Sequence, residues 1–247
     1  MIAPVDFKGF GPQALPFLNA LGFHQNKDWF AENKPLYESQ IKAPMGDLIE
    51  ELTARFETQK ITLKGTRAAS MFRVNKDVRF SKDKAPYNTH ASAMLTRSGG
   101  KKDQGGAYIH IKPGECFIGA GIWYAEAEEF RALRDAIVAR TDEFRSLEKA
   151  IAAKGHAFAT DDELKRVPTD FRHLTDEDQR RWMRMKHFFV NVQIADDEIT
   201  TPEFADKIVT LAQTMMPIMN FCWRAMDPVT ALKAQPSLQH PDSDPAF

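Results

Sequence analysis

A-Y-I-H-I-K-P-G-E-C-F-I-G-A-G-I-W-Y, Ala107 to Tyr124, is a pair of short apolar runs joined through Pro113-Gly114. Proline cannot donate to a strand ladder and glycine accepts turn geometry, so this dipeptide marks the bend of a β-hairpin. In a strand, successive side chains point to opposite faces. Ile109, Ile111, Ile118 and Ile122 therefore share one face, and Tyr108, His110, Gly119 and Gly121 share the other. One face is apolar and the other is polar with gaps, as in an antiparallel sheet packed on one side only.

Working outward, His90 to Ser98 reads as another strand, separated from the hairpin by the polar loop 99–106. Before it, Phe72, Val74, Val78 and Phe80 alternate with Arg73, Asn75, Asp77 and Arg79, which predicts a further strand, with Lys76 out of pattern. Ser81 to Tyr87 contains S-K-D-K-A-P and reads as a turn. Downstream, 125–153 carries Phe130, Leu133, Ile137, Phe144, Leu147 and Ile151 at helical spacing and predicts one long amphipathic helix. A short helix is expected over 176–185 and a last strand over 188–194, with Val190 and Val192 apolar and Asn191 and Gln193 polar. Thr201-Pro202-Glu203 is a helix start. At the N-terminal end, Leu15, Leu18 and Leu21 define a first helix. Asn26 caps a second, which Pro35 and Pro44 kink or divide.

Strands that follow one another directly pair antiparallel, and helices segregated from them give an α+β fold. The expectation is a single α+β domain over 1–226 with a mainly antiparallel sheet of about five strands and helices on one face. A Pro-rich arm is expected over 227–247.

The composition is that of an ordinary soluble globular protein: 247 residues, 43% hydrophobic, formal net charge −1. No apolar run is long enough to span a bilayer, and the first residues lack the charged start and apolar stretch of a signal peptide. Cys116 and Cys222 lie far apart without metal spacing, which suits two reduced thiols in the cytoplasm. No membrane association, metal or cofactor is expected. Charge is uneven: residues 60–102 carry eleven Lys/Arg against Asp77 and Asp83, a net +9 that leaves −10 for the rest. The chain lacks G-x-G-x-x-G after a strand, the phosphate-loop pattern G-x-x-x-x-G-K-[ST], H-E-x-x-H and G-x-S-x-G.

The polar sheet face is the place to look for a site. Arg73 and Arg79 can fork onto carboxylate or phosphate oxygens. Asn75, Asp77 and Tyr108 add hydrogen-bonding groups, and His110 is the candidate general acid or base. Gly119 and Gly121 remove side chains, which would let a ligand approach the backbone. Ser81, Lys82, Lys84, Tyr87 and His90, on or beside the basic turn, would close one edge. The bland alternative is a solvated face whose charges pair with one another.

The string D-V-R-F-S-K-D-K-A-P-Y-N-T-H, Asp77 to His90, resembles the signature of a widespread bacterial and fungal protein family of unknown function. F-K-G-F-G-P at 7–12, W-F-A-E-N-K-P-L-Y at 29–37, L-K-R-V-P at 164–168 and G-A-G-I-W-Y at 119–124 are similar to the same family, covering roughly 6–226. The chain departs from it at Asn88, Ala120 and Ala125 and over 169–176. The resemblance implies no established activity, substrate or cofactor. The leading expectation is binding, with turnover left open, of a small anionic or phosphorylated ligand on the polar face. The alternatives are a nucleic-acid or phosphate surface on the basic 60–102 segment, and a protein-interaction module.

Overall fold

A computed structural model describes residues 6–79, 82 and 84–234. Its sheet has four antiparallel strands in sequential order, β1 (Ala91–Thr96), β2 (Gly106–Ile111), β3 (Phe117–Ile122) and β4 (Phe188–Gln193). Tyr108 pairs with Met94 on one side and Gly119 on the other, and Gly119 with Asn191. This register puts Leu95, Ala107, Ile109, Ile118, Ala120 and Val190 in the core.

That apolar face is covered by helices. α1 (Ala14–Phe23) and α2 (Lys27–Tyr37) open the chain, and the Asn26 side chain accepts from the Trp29 amide as the cap of α2. Pro35 and Pro44 flank a π-helical turn, Glu38–Lys42, that passes directly into α3 (Ala43–Thr58). Two prolines that remove helical hydrogen bonds are thus absorbed by one widened turn. A short helix α4 (Arg67–Ser70) leads towards β1.

The single helix predicted over 125–153 is two, α5 (Ala127–Ala139) and α6 (Thr141–Ala152). The break is at Arg140, whose φ of −127° and ψ of 45° lie outside the helical region. The Thr141 hydroxyl donates to the carbonyls of Ile137 and Val138, supplying partners at the interruption. The bend lets α6 drive Phe144 among Trp182, Phe188 and Phe221. A continuous helix would have carried that ring past them.

After α7 (Glu177–Arg184) and β4, the longest helix, α8 (Glu203–Ala234), crosses behind β2 and β3 and packs on α3, α5 and α6. Ile208, Leu211, Met215, Ile218 and Cys222 are buried along it. The arm expected from Asp227 begins instead as the last two turns of α8, which pass through Pro228. Arg97 holds Asp227 with two hydrogen bonds, and Thr230 bonds Glu129, so these turns are tied to the domain. The remainder of the arm, from residue 235, lies outside the described residues.

The strand predicted from Phe72 to Phe80 is a third difference. Met71 bridges Ala93 and Asn75 bridges Tyr87, but no continuous ladder joins them. After the Phe72 amide bonds the Ser92 carbonyl, the chain leaves the β1 edge and folds back on itself through Asn88 N to Val74 O and Lys76 N to Pro86 O. Pro86 offers no donor of its own. Phe72 does not enter the helix-facing core: it is 39% exposed and meets the edge of Tyr108, at 6.2 Å, on the opposite face. Period-2 alternation described the extended backbone and missed which side it serves. Phe80 lies outside the described residues.

Among the described residues no helix is long and apolar enough to cross a membrane, and no group of three or more His, Cys, Asp or Glu is placed to hold a metal ion.

Candidate functional site on the open sheet face

The face away from the helices is concave. The segment around Phe72 rises over the β1 edge, the 98–106 loop closes one end, and Trp123 and Tyr124 stand at the end of β3. Between them is a cavity of about 810 Å³ lined by Tyr108, His110, Phe117, Phe189 and Asn191 among others. A smaller recess of about 660 Å³ adjoins it under the 72–78 segment, sharing Phe72, His90, Lys101 and Tyr108. A cavity of this size matches a small-molecule site.

The floor is a stacked column. His90 lies on His110 with centroids 4.4 Å apart, and the other neighbour of His110 in the stack is Phe117 at 4.7 Å. The parity of the hairpin makes this possible: Ser92, His110 and Phe117 are register partners, and His90 stands just before β1. The phenol of Tyr108 is 3.2 Å from His110 Nδ1. Buried Ser92 is a hydrogen-bonding neighbour of the same phenol.

Burial pushes the His110 pKa down to about 4, helped by the charges of His90 and Lys112 and opposed by Glu115. His90 is lowered by burial and then by Lys112 and Lys76. Burial raises Tyr108 despite the serine bond. At neutral pH the column is therefore uncharged: two imidazoles and a phenol in aromatic walls. The positive charge lies at the β1 edge. Lys101 sits 5.1 Å over the Phe72 ring, and its ammonium donates to the Met71 carbonyl at 2.7 Å.

The predicted site residues separate into groups. Tyr108, His110 and His90 come together in the cavity. Arg73, Asn75 and Asp77 line the adjoining recess. Arg79 does not join them: its guanidinium lies on Asp77, with Nε–Oδ1 2.9 Å and Nη2–Oδ2 2.7 Å, in an exposed pair. Lys82 and Lys84 are exposed, and Lys84 donates to the Val78 carbonyl at 3.0 Å. Tyr87 is a core residue, 4% exposed and stacked on Phe30 at 4.5 Å. Ser81 lies outside the described residues.

The two glycines are not an opening for a ligand. A Cβ on Gly119 would stand 1.9 Å from Cζ of Phe189, whose ring fills the space above that strand position. Gly121 has φ +134° and packs against the Phe188 carbonyl, so it serves the backbone path. Phe189 belongs to the polar parity of β4, beside Asn191 and Gln193, and parity alone could have revealed it. Ser92, Met94 and Phe117 carry the same signal on β1 and β3. Lys101 carries none, because a loop residue has no parity.

Below Trp123 lies His187, 4% exposed, with neither ring nitrogen hydrogen-bonded. The two rings stack at 4.8 Å, and the Phe189 ring meets Trp123 edge-on at 5.1 Å. Trp123 itself remains 54% exposed, at the cavity rim.

Comparison with curated proteins and with solved structures returned no match. Residues 13–221 match the model of DUF2461, described as a conserved hypothetical protein, and the chain belongs to that family.

Proposed function

We propose that the open sheet face binds a small anionic ligand with a flat apolar body. The observation that carries this reading is the cavity itself: aromatic rings and uncharged imidazoles form the floor, and the Lys101 ammonium is held at one edge. Such walls take up apolar area and stack on planar groups. Lys101, with Arg73 in the adjoining recess, supplies attraction for a carboxylate or phosphate. Arg79 is assigned no part, since Asp77 already occupies it.

Binding is favoured over turnover. An imidazole with a pKa near 4 is a weak base at neutral pH, far from the match that general base catalysis requires. A neutral imidazole is better suited to stacking on a ligand than to taking up its proton. A nucleic-acid surface draws less support, because guanidiniums of the basic segment are engaged within the fold: Arg67 with Asp47 and Glu50, and Arg97 with Asp227. Two buried free cysteines support a cytoplasmic setting.

The test is a thermal-shift screen of aromatic carboxylates and aromatic phosphates on the wild type, Lys101→Ala and Tyr108→Ala. The reading requires at least one compound that raises the wild-type midpoint and raises both variants less. Equal shifts in all three proteins would contradict it.

A further inference from the structure

The cavity is electrically lopsided along one direction, across the strands. Towards the β1 edge stand Lys101 and, on the same loop, Lys102 and Asp103, whose carboxylate is held by Ser98; Arg73 and Asp77 line the adjoining recess. At the β4 edge stands Asp161, placed there because the Ala159 amide bonds the Phe189 carbonyl and carries the chain over the end of that strand. Asp161 lines the cavity, is exposed, and has no ion-pair partner among the described residues. Glu126, also on the wall, is already engaged by Lys233 and by the cap of α5.

Beside Asp161 are the two most exposed rings of the cavity, Trp123 at 54% and Tyr124 at 61%. His187 covers one face of Trp123 and holds the indole in place, while the rest of the indole borders the cavity. A soluble protein leaves two adjacent large rings in water at a cost, and such rings next to an unpaired carboxylate match the recognition of an organic cation: attraction to the ring faces plus a counter-charge.

We infer that the occupant is zwitterionic and elongated: an ammonium or guanidinium group at Trp123, Tyr124 and Asp161, a flat body over the His90–His110 column, and a carboxylate or phosphate at Lys101. This rests on the reading of the cavity as an anion site and adds a second, cation-binding end to it. The edge strands β1 and β4 lie three spacings of about 4.8 Å apart, roughly 14 Å, with Trp123 and Tyr124 one spacing nearer at the end of β3. A small amino acid is too short to bridge the two ends, so the ligand class is a long amino acid, a peptide fragment or a comparable two-ended molecule.

The experiment is calorimetric titration of the full chain with three probes: biphenyl-4-carboxylate, 4-(aminomethyl)biphenyl, and 4′-(aminomethyl)biphenyl-4-carboxylate, whose opposite charges sit at the two ends of a rigid body. Asp161→Asn and Lys101→Met are titrated in parallel. An exposed cation–ring contact plus an exposed ion pair should make the zwitterion bind roughly three- to tenfold tighter than the plain acid. Asp161→Asn should remove most of that advantage and leave the plain acid unchanged. Lys101→Met should weaken both acids. If the plain acid binds as well as the zwitterion and Asp161→Asn changes neither, the cation end is wrong while the anion site stands. If neither acid binds the wild type, the underlying reading fails as well. Far-ultraviolet circular dichroism of both variants, expected to be unchanged because the substituted side chains are at the surface, separates lost binding from lost folding.

Discussion

Adding one methyl group at Gly119 perturbs the floor of the cavity and leaves the helical core alone. An alanine Cβ there would lie 1.9 Å from Cζ and 2.5 Å from Cε1 of Phe189. Carbon atoms rest at about 3.5–4 Å, so the ring must retreat by roughly 1.5–2 Å. Its retreat is restricted by Trp123 at its side, and the open direction is into the cavity. Overpacking of this kind costs about 1–3 kcal/mol, and exchanging a strand glycine for alanine returns about 0.5–1 kcal/mol of chain entropy. Gly119→Ala should therefore be destabilising by about 1–2 kcal/mol, and the displaced ring should also narrow the ligand space. Phe189→Ala alone loses a largely buried ring, with a cost of about 3 kcal/mol or more. In the double variant the new methyl meets no ring, so the overpacking cost disappears. The two substitutions should fall short of additivity by about 1–3 kcal/mol. Denaturant unfolding followed by circular dichroism measures all four proteins. If Gly119→Ala is as stable as the wild type and the cycle shows no coupling, Phe189 does not occupy the Gly119 position and the described floor is wrong.

Other expectations follow from the same geometry. His187→Phe removes two unbonded buried ring nitrogens while keeping the stack on Trp123, so it should raise stability by about 1 kcal/mol, read as an increased thermal midpoint. The folded-state pKa of His110 is depressed to about 4 from 6.5. The unfolded chain then holds more protons between those values, so stability is greatest above pH 6.5, falls as pH drops towards 4 and levels off below it. After allowance for partial solvent screening the His110 share is on the order of 1–2 kcal/mol, and His110→Phe should flatten that part of the pH–stability curve. For the same reason an anionic aromatic probe should bind more tightly at pH 5 than at pH 7, because the anion favours the protonated imidazole; titrations at the two pH values measure this. Asn26→Ala removes the cap of α2, whose side chain accepts from the Trp29 amide at 2.9 Å, and should cost about 1 kcal/mol in denaturant unfolding.

Much of the fold was legible because its sheet is regular. The Pro113-Gly114 turn fixed the hairpin, and parity from that turn placed Tyr108 and His110 on the open face and Ile109 and Ile118 in the core. Parity is a local property, and where the local rule held the reading held. It failed over 72–79, where an extended chain is pinned to the sheet by single bridges and then turned over the face by its pairing with 86–88. It also failed at Arg140, where helical periodicity runs unbroken through a backbone that bends to seat Phe144. Of the candidate site, the histidine–tyrosine column was within reach of the sequence. Lys101 and Asp161 were not, since loop residues reach the cavity through tertiary packing that no spacing encodes. The Arg73–Arg79 clamp was read from residue type alone, and in the structure Arg79 lies on the aspartate two positions before it.

The central proposal is that the open sheet face takes up an anionic aromatic ligand. It is tested most directly by titrating biphenyl-4-carboxylate into isotope-labelled protein and following amide and imidazole resonances. The account predicts saturable shifts at His90, Ser92, Tyr108 and His110, with the buried residues of α8 unmoved. Shifts that never saturate, or that cluster on the outer faces of α5 and α6 and spare the His90–His110 column, would contradict it.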